Sequence, residues 1–70
     1  MYVVNCCNGQ EIERYRNAER AYDAFMEYAR TGCPVFLYDD SYPDGDSEID
    51  SSGYGESHQP VTAARKAFFA

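Results

Sequence analysis

The chain has 70 residues with twelve Asp and Glu against six Lys and Arg, which gives a net charge of −6 at pH 7. A chain this short forms one small domain with a limited core and little room for a deep catalytic pocket. The acidic excess repels phosphate and therefore argues against direct binding of nucleic acid.

A β-hairpin is predicted at the start of the chain. Residues 2–7 are rich in β-forming types, Asn8-Gly9 is a strong turn signal, and residues 10–16 supply the return strand. A two-residue loop sets Val4 opposite Glu13, whereas a three-residue loop with Gly9 in the left-handed bulge position pairs Val4 with Ile12. We prefer the second register because it separates apolar from polar side chains. It gathers Tyr2, Val4, Cys6 and Ile12 on one face and turns Glu11, Glu13 and Tyr15 outward.

An amphipathic helix is predicted over residues 18–31. Asn17 is a suitable N-cap, Glu19 in the first turn suits the helix dipole, and Gly32 is placed to end the helix at C′. Apolar residues recur at three- and four-residue steps and form one stripe that faces a core. The stripe consists of Ala18, Ala21, Tyr22, Phe25, Tyr28 and Ala29.

The remainder of the chain is predicted as a strand, a long loop and a short helix. Residues 35–38 follow Pro34 as a third, largely buried strand, and residues 39–59 are irregular. Pro60 at N1 opens a final helix over residues 61–69, with Val61, Ala64 and Phe68 on the side that docks on the core. The predicted class is therefore α+β in one domain, with a small antiparallel-containing sheet and the main helix packed on one face. Its parts are a strand–strand–helix–strand unit (1–38), an acidic loop segment (39–59) and a C-terminal helix (60–70).

The three cysteines, Cys6, Cys7 and Cys33, are odd in number and have no disulfide-framework spacing. Buried, reduced thiols in an intracellular setting are therefore expected. No secretory leader pattern opens the sequence and no apolar run approaches membrane-spanning length, so a cytoplasmic protein without membrane contact is expected.

The acidic segment, residues 39–59, holds seven carboxylates and no Lys or Arg. In an extended conformation, side chains two residues apart share a face at intervals of about 6.6 Å, and such a row resembles the phosphates of a nucleic-acid strand. We therefore predict that Asp44, Asp46, Glu48 and Asp50 form a charge row that docks on a basic groove. Asp39 and Asp40 anchor the row, and Tyr42 and Tyr54 are contact aromatics. The full predicted partner-binding set is Asp39, Asp40, Tyr42, Asp44, Asp46, Glu48, Asp50, Tyr54 and Glu56.

Other chemistries fit the sequence less well. A calcium loop that starts at Asp40 has Tyr42 at position three and Ser51 at position twelve, where ligands are needed, so at most weak cation binding is expected. Cys6, Cys7, Cys33 and His58 include zinc-ligand types but lack paired spacing. Cys33 with His58 is a conceivable catalytic pair, but a fold of this size has little room for a deep pocket and no catalytic motif appears. We therefore expect no enzyme activity, no metal and no cofactor.

The chain resembles a functional class through its size, its charge, its strand–strand–helix–strand layout over residues 2–38 and the acids of residues 39–50. It is similar to the small acidic inhibitor proteins of phages and mobile elements, which include anti-CRISPR proteins, anti-restriction proteins and inhibitors of host polymerase. The resemblance implies a stoichiometric inhibitor in the host cytoplasm that blocks a basic nucleic-acid-binding protein, such as a CRISPR–Cas effector. The alternative is a structural module that forms a homodimer through an apolar sheet face or through Phe68-Phe69.

Overall fold

The computed structural model describes residues 1–6, 10–53 and 61–70, and of residues 10–12 it describes only the backbone. The described chain forms four strands and two helices, which confirms the α+β class. In chain order these are β1 (Tyr2–Cys6), β2 (Gln10–Tyr15), α1 (Ala18–Arg30), β3 (Val35–Asp39), β4 (Glu48–Ser52) and α2 (Ala63–Phe68).

The strands form one antiparallel sheet in the order β2-β1-β3-β4. The two central strands, β1 and β3, carry the fully buried side chains of Val3, Val4, Val35 and Leu37. α1 connects β2 to β3 across β1 and covers one face of the sheet. The core lies between this face and the helices. It consists of Val4, Cys6, Ala21, Phe25, Val35, Leu37, Ile49 and Ala64.

The caps of α1 are those that the sequence predicts. The Asn17 side chain accepts a hydrogen bond from the Arg20 backbone N–H, which satisfies one of the free donors of the first turn. At the other end, Thr31 is the C-cap and Gly32 follows with φ +82°, a conformation that favours glycine. Phe25 and Ala21 of the predicted stripe are buried against the sheet. The predicted amphipathic helix is therefore confirmed, with its end one residue earlier.

The hairpin register combines the two alternatives. Cys6 lies opposite Gln10, so three residues connect the strands as preferred. The pairing then shifts by one residue, and Val4 lies opposite Glu13 instead of Ile12. The predicted Val4–Ile12 pair is therefore wrong, and the left-handed conformation predicted for Gly9 lies outside the described residues.

A bulge in β2 causes this shift, because one residue of β2 between Glu11 and Glu13 has no partner on β1. A one-residue shift moves the following side chains to the other face. Tyr15 consequently lies opposite Tyr2 and packs against the core, whereas an outward position was predicted. The predicted position of the Ile12 side chain lies outside the described residues.

The acidic segment contains a strand where a continuous loop was predicted. β4 pairs with β3, and a second bulge at Ile49 separates the Tyr38–Glu48 pair from the Leu37–Asp50 pair. Ile49 is 1% exposed, so a single apolar side chain anchors the strand in the core. At the end of β4, Gly53 has φ +86°, and a Cβ there would lie 2.8 Å from the Pro34 Cα.

The final helix begins later than predicted. Thr62 is extended and its hydroxyl accepts a hydrogen bond from the Arg65 backbone N–H, so Thr62 is the N-cap of α2. Val61 therefore precedes the helix and is 70% exposed, which contradicts its predicted place on the docking side. Ala64 and Phe68 do pack on the core, as predicted. The predicted role of Pro60 lies outside the described residues.

Cys6 and Cys33 form a disulfide, which contradicts the prediction of reduced thiols for this pair. The two residues are 27 apart in sequence, with Cα atoms 6.8 Å from each other. The fold brings them together because Cys6 ends β1 opposite Val35, and Cys33 stands two residues before Val35. The spacing of the cysteines along the chain does not predict this contact, because the contact arises from the pairing of β1 with β3.

The burial of one face of α1 predicts that substitutions at two neighbouring residues change the free energy of unfolding by very different amounts. Phe25 is 2% exposed and Met26 is 38% exposed. Phe25→Ala is expected to lower the free energy of unfolding by about 3–5 kcal/mol, because it removes a fully buried ring and leaves a cavity. Met26→Ala is the control and is expected to change it by about 0.5 kcal/mol or less. Urea denaturation followed by circular dichroism measures both. Equal losses would contradict the placement of the core.

Candidate acidic interface

The connection between β3 and β4 gathers most of the predicted partner-binding carboxylates. We call residues 39–48 the acidic turn; it holds Asp39, Asp40, Asp44, Asp46 and Glu48. The Asp39 N–H donates to the Ser47 carbonyl at 2.9 Å, and the Asp46 N–H donates to the Pro43 carbonyl at 3.0 Å. These bonds fold the segment into consecutive tight turns, in which Gly45 has φ +95°. The regular extended row predicted for the four alternating acids is therefore absent.

Asp39 and Asp40 are held at the start of the acidic turn. The Asp39 carboxylate accepts hydrogen bonds from the backbone N–H and the hydroxyl of Ser41, at 3.0 and 2.7 Å. Asp40 is exposed and accepts from the Met1 amino group at 3.1 Å and from the Arg14 guanidinium. These two donors hold the pKa of Asp40 below its ordinary value. Asp40 therefore joins the start of the chain and β2 to the acidic turn, and Asp39 holds the turn itself through Ser41.

Asp46 connects the acidic turn to the C-terminal helix. Its carboxylate accepts a hydrogen bond from the Ala63 N–H at 3.3 Å, and its carbonyl accepts from the Ala64 N–H at 3.0 Å. The Thr62 hydroxyl donates to the Glu48 carbonyl. These contacts satisfy N-terminal N–H groups of α2 and join the helix to the outer edge of β4. Asp46 is exposed, yet part of its hydrogen-bonding capacity serves the fold.

Asp50 points inward, toward the helices. Its carboxylate accepts from the Tyr22 hydroxyl of α1 at 3.3 Å and lies 3.5 Å from the Arg65 guanidinium of α2. Arg65 also donates to the Ile49 carbonyl. Burial raises the pKa of Tyr22, and the charge of Asp50 and its hydrogen bond raise it further. Asp50 therefore joins β4, α1 and α2, and its predicted place in a surface row is wrong.

An aromatic cluster completes the docking of α2. The Phe68 ring lies 5.5 Å from Tyr2 and 5.8 Å from Tyr22, measured between centroids, and Phe69 lies 5.8 Å from Tyr22. The Arg65 guanidinium is 5.0 Å from the centroid of the Phe69 ring. Phe68 is thus committed to the intramolecular core, while Phe69 is half exposed. The sequence alone gives Arg65 no partner, because its contacts arise from the meeting of α2 and β4.

Two of the predicted acids, Asp44 and Glu48, differ from the others in the contacts of their carboxylates. Asp44 is exposed in the acidic turn. Glu48 is half-buried and lies opposite Tyr38, whose side chain is on the face of the sheet away from buried Leu37. Within the described part of the chain, neither carboxylate takes a hydrogen bond or an ion pair. Tyr42, predicted as a contact aromatic, packs against the core.

Tyr54 and Glu56 lie outside the described residues, as does His58. The zinc site that the sequence disfavours would require Cys6 and Cys33 as thiolates, and both sulfurs are in the disulfide. Across residues 1–6, 10–53 and 61–70, no cluster of three or more His, Cys, Asp or Glu is arranged to hold a metal ion. The chemistry that the described site offers is therefore that of a negative surface.

Six carboxylates lie in residues 39–53, which contain no Lys or Arg. Three cations reach them in the described structure: the Met1 amino group, Arg14 and Arg65. Six negative charges less three positive charges leave a local charge of −3. A surface of this kind attracts basic partners through an electrostatic field that salt screens.

Comparison with protein-family models, with curated proteins and with solved structures finds no match to this chain. Among the described residues, no helix is long and apolar enough to cross a membrane.

The Asp40 contacts predict a pH-dependent contribution to stability. Because the folded-state pKa of Asp40 lies below its unfolded value of about 3.9, its contacts stabilise the fold above that pH. This contribution is lost as the pH falls through the lowered folded-state pKa. Asp40→Asn is therefore expected to lower the Tm at pH 7, and the difference in Tm from the parent chain narrows as the pH falls through the lowered folded-state pKa.

Thermal unfolding of the two chains between pH 2 and 7, followed by circular dichroism, measures this gap. Asp44→Asn is the control, because it removes a charge from an exposed position in the same turn. A gap for Asp40→Asn that is absent at pH 7, or that persists unchanged at pH 2, would contradict the assignment.

Proposed function

We propose that this chain is a non-catalytic binding protein whose acidic turn docks on the basic groove of a nucleic-acid-binding protein and competes with nucleic acid there. The observation that carries the proposal is the local charge of −3 in residues 39–53, where the carboxylates of Asp44 and Glu48 have no hydrogen bond or ion pair within the described residues. A partner with a phosphate-binding groove has the complementary charge, because such grooves are lined with Lys and Arg.

The fold supports the proposal by holding the charges in place. The Ser47–Asp39 and Asp46–Pro43 backbone bonds fix the acidic turn, and Asp46 ties it to α2. A turn ordered before binding loses less conformational entropy when it binds than a flexible acidic tail does. Like charges held close together repel one another, and a basic partner relieves that repulsion.

The division of the acids changes which residues are proposed to contact the partner. Asp44 and Glu48 are the primary contacts, and Asp39, Asp40 and Asp46 add to the field while holding the turn. Asp50 is excluded from the contact set because it bonds to Tyr22 and Arg65. The phosphate mimicry thus rests on the sign and density of charge instead of on a regular spacing.

The test compares two double variants of equal net charge. Asp44→Asn/Glu48→Gln neutralises the two acids whose carboxylates have no partner among the described residues. Asp23→Asn/Glu27→Gln neutralises two exposed acids of α1 and serves as the matched control. Each immobilised chain is exposed to a nuclease-treated bacterial lysate and eluted in salt steps. A retained protein is then purified and assayed for displacement of labelled duplex DNA.

The parent chain and the α1 control are expected to retain the same nucleic-acid-binding protein and to displace its DNA. The acidic-turn variant is expected to bind it at least about tenfold more weakly, a difference of about 1.4 kcal/mol. Equal retention by all three chains, or a retained protein that keeps its DNA, would contradict the proposal.

A further inference from the structure

The two sulfurs of the disulfide occupy different environments. Cys6 is the last residue of β1, is 4% exposed and belongs to the core. Cys33 is half-buried in the connection between α1 and β3, where Gly32 and Pro34 on either side are exposed. Cys33 is therefore the more exposed of the two disulfide-bonded residues.

This asymmetry decides where an external thiol reacts. Thiol–disulfide exchange begins when a thiolate attacks one sulfur and displaces the other, and access is one of the factors that selects the attacked sulfur. We propose that Cys33 is an exchange site that takes up low-molecular-weight thiols of the glutathione class and thereby opens the Cys6–Cys33 disulfide.

The exchange balances in two steps. The thiolate of the small thiol forms a bond to Cys33 Sγ, the Cys6–Cys33 bond breaks, and Cys6 leaves as a thiolate that takes a proton from solvent. A second small thiol then attacks the sulfur of the first, which releases Cys33 as a thiol and the small molecule as its own disulfide. In total the protein disulfide is reduced to two thiols, and two small thiols are oxidised to one disulfide.

Opening this bond has a structural consequence. The disulfide closes a loop that contains β2 and α1 and ties the end of β1 to the connection before β3. A chain of 70 residues has a small core, so the constraint on the unfolded state is a large share of its stability. The strand pairing of Cys6 with Val35 involves the backbone and not the sulfur, so the reduced chain is expected to keep the fold with a lower Tm.

Exchange at Cys33 also makes the stability of this chain depend on the compartment that holds it. Disulfides persist in oxidising compartments and are reduced in the cytoplasm, where thiols are maintained. A disulfide with one accessible sulfur responds to the surrounding thiol pool, and the stability of this chain then depends on the redox poise of its compartment. This proposal is independent of any partner of the acidic turn.

The experiment uses the full chain with Cys7→Ser, which leaves Cys6 and Cys33 as its only cysteines. The oxidised chain is incubated with reduced glutathione at low concentration, quenched with an alkylating reagent and mapped by peptide mass spectrometry. The expected first product carries glutathione on Cys33 and the alkyl group on Cys6. Full reduction is expected to lower the Tm by about 10–20 °C.

Cys33→Ser in the same background is expected to show the Tm of the reduced chain and no response to the thiol. Glutathione found on Cys6 in the first product would overturn the proposed site. Equal Tm values for the oxidised and reduced Cys7→Ser chain would overturn the proposed consequence, and this comparison holds even if Cys33→Ser fails to fold.

Discussion

The packing of the C-terminal segment, residues 62–69, against β4 is the constraint on which the rest of the structure depends. β4 has one strongly apolar residue, Ile49, and in the part of the chain that the structure describes its outer edge has no neighbouring strand. Thr62, Ala64 and Arg65 supply the missing donors to carbonyls of residues 46, 48 and 49. This arrangement covers an edge that would otherwise invite pairing with another chain, and it brings Ala64 and Phe68 onto the core. Together with the pairing to β3 and the burial of Ile49, it holds β4 and the acidic turn on the sheet.

The packing of the C-terminal segment also divides the acids into two groups, according to whether their carboxylates contact α2. Asp46 and Asp50 take part in holding α2, while the carboxylates of Asp44 and Glu48 have no partner among the described residues. A carboxylate with hydrogen-bond partners contributes to the fold, and removing it leaves those partners unsatisfied. A carboxylate without such partners contributes little to the fold and can contact another molecule. Charge count alone therefore overstates the binding surface, and the contacts of each carboxylate decide its role.

The sequence predicts those elements whose signals are local. The three- and four-residue spacing of α1, the Asn17 cap and Gly32 are enough to place that helix within one residue. β4 is hidden because one apolar residue among five does not make a strand pattern, and its pairing depends on β3 and α2. The bulges in β2 and β4 are similarly invisible, and each one changes which side chains face the core. Proline at N1 predicts that the last helix begins at residue 61, whereas the Thr62 hydroxyl caps α2 and the helix begins at Ala63. The disulfide depends on strand pairing and has no sequence signature here.

A double-mutant cycle between Asp50 and Arg65 tests the packing of the C-terminal segment against β4 most directly. Asp50→Asn, Arg65→Met and the double variant are compared with the parent chain by urea denaturation. The cycle isolates the interaction between the two side chains from the other contacts of Arg65 with Ile49 and Phe69. A coupling energy of about 1 kcal/mol is expected for this half-buried pair. Additive effects, with a coupling below about 0.3 kcal/mol, would contradict the structural role of Asp50 and return it to the surface charges.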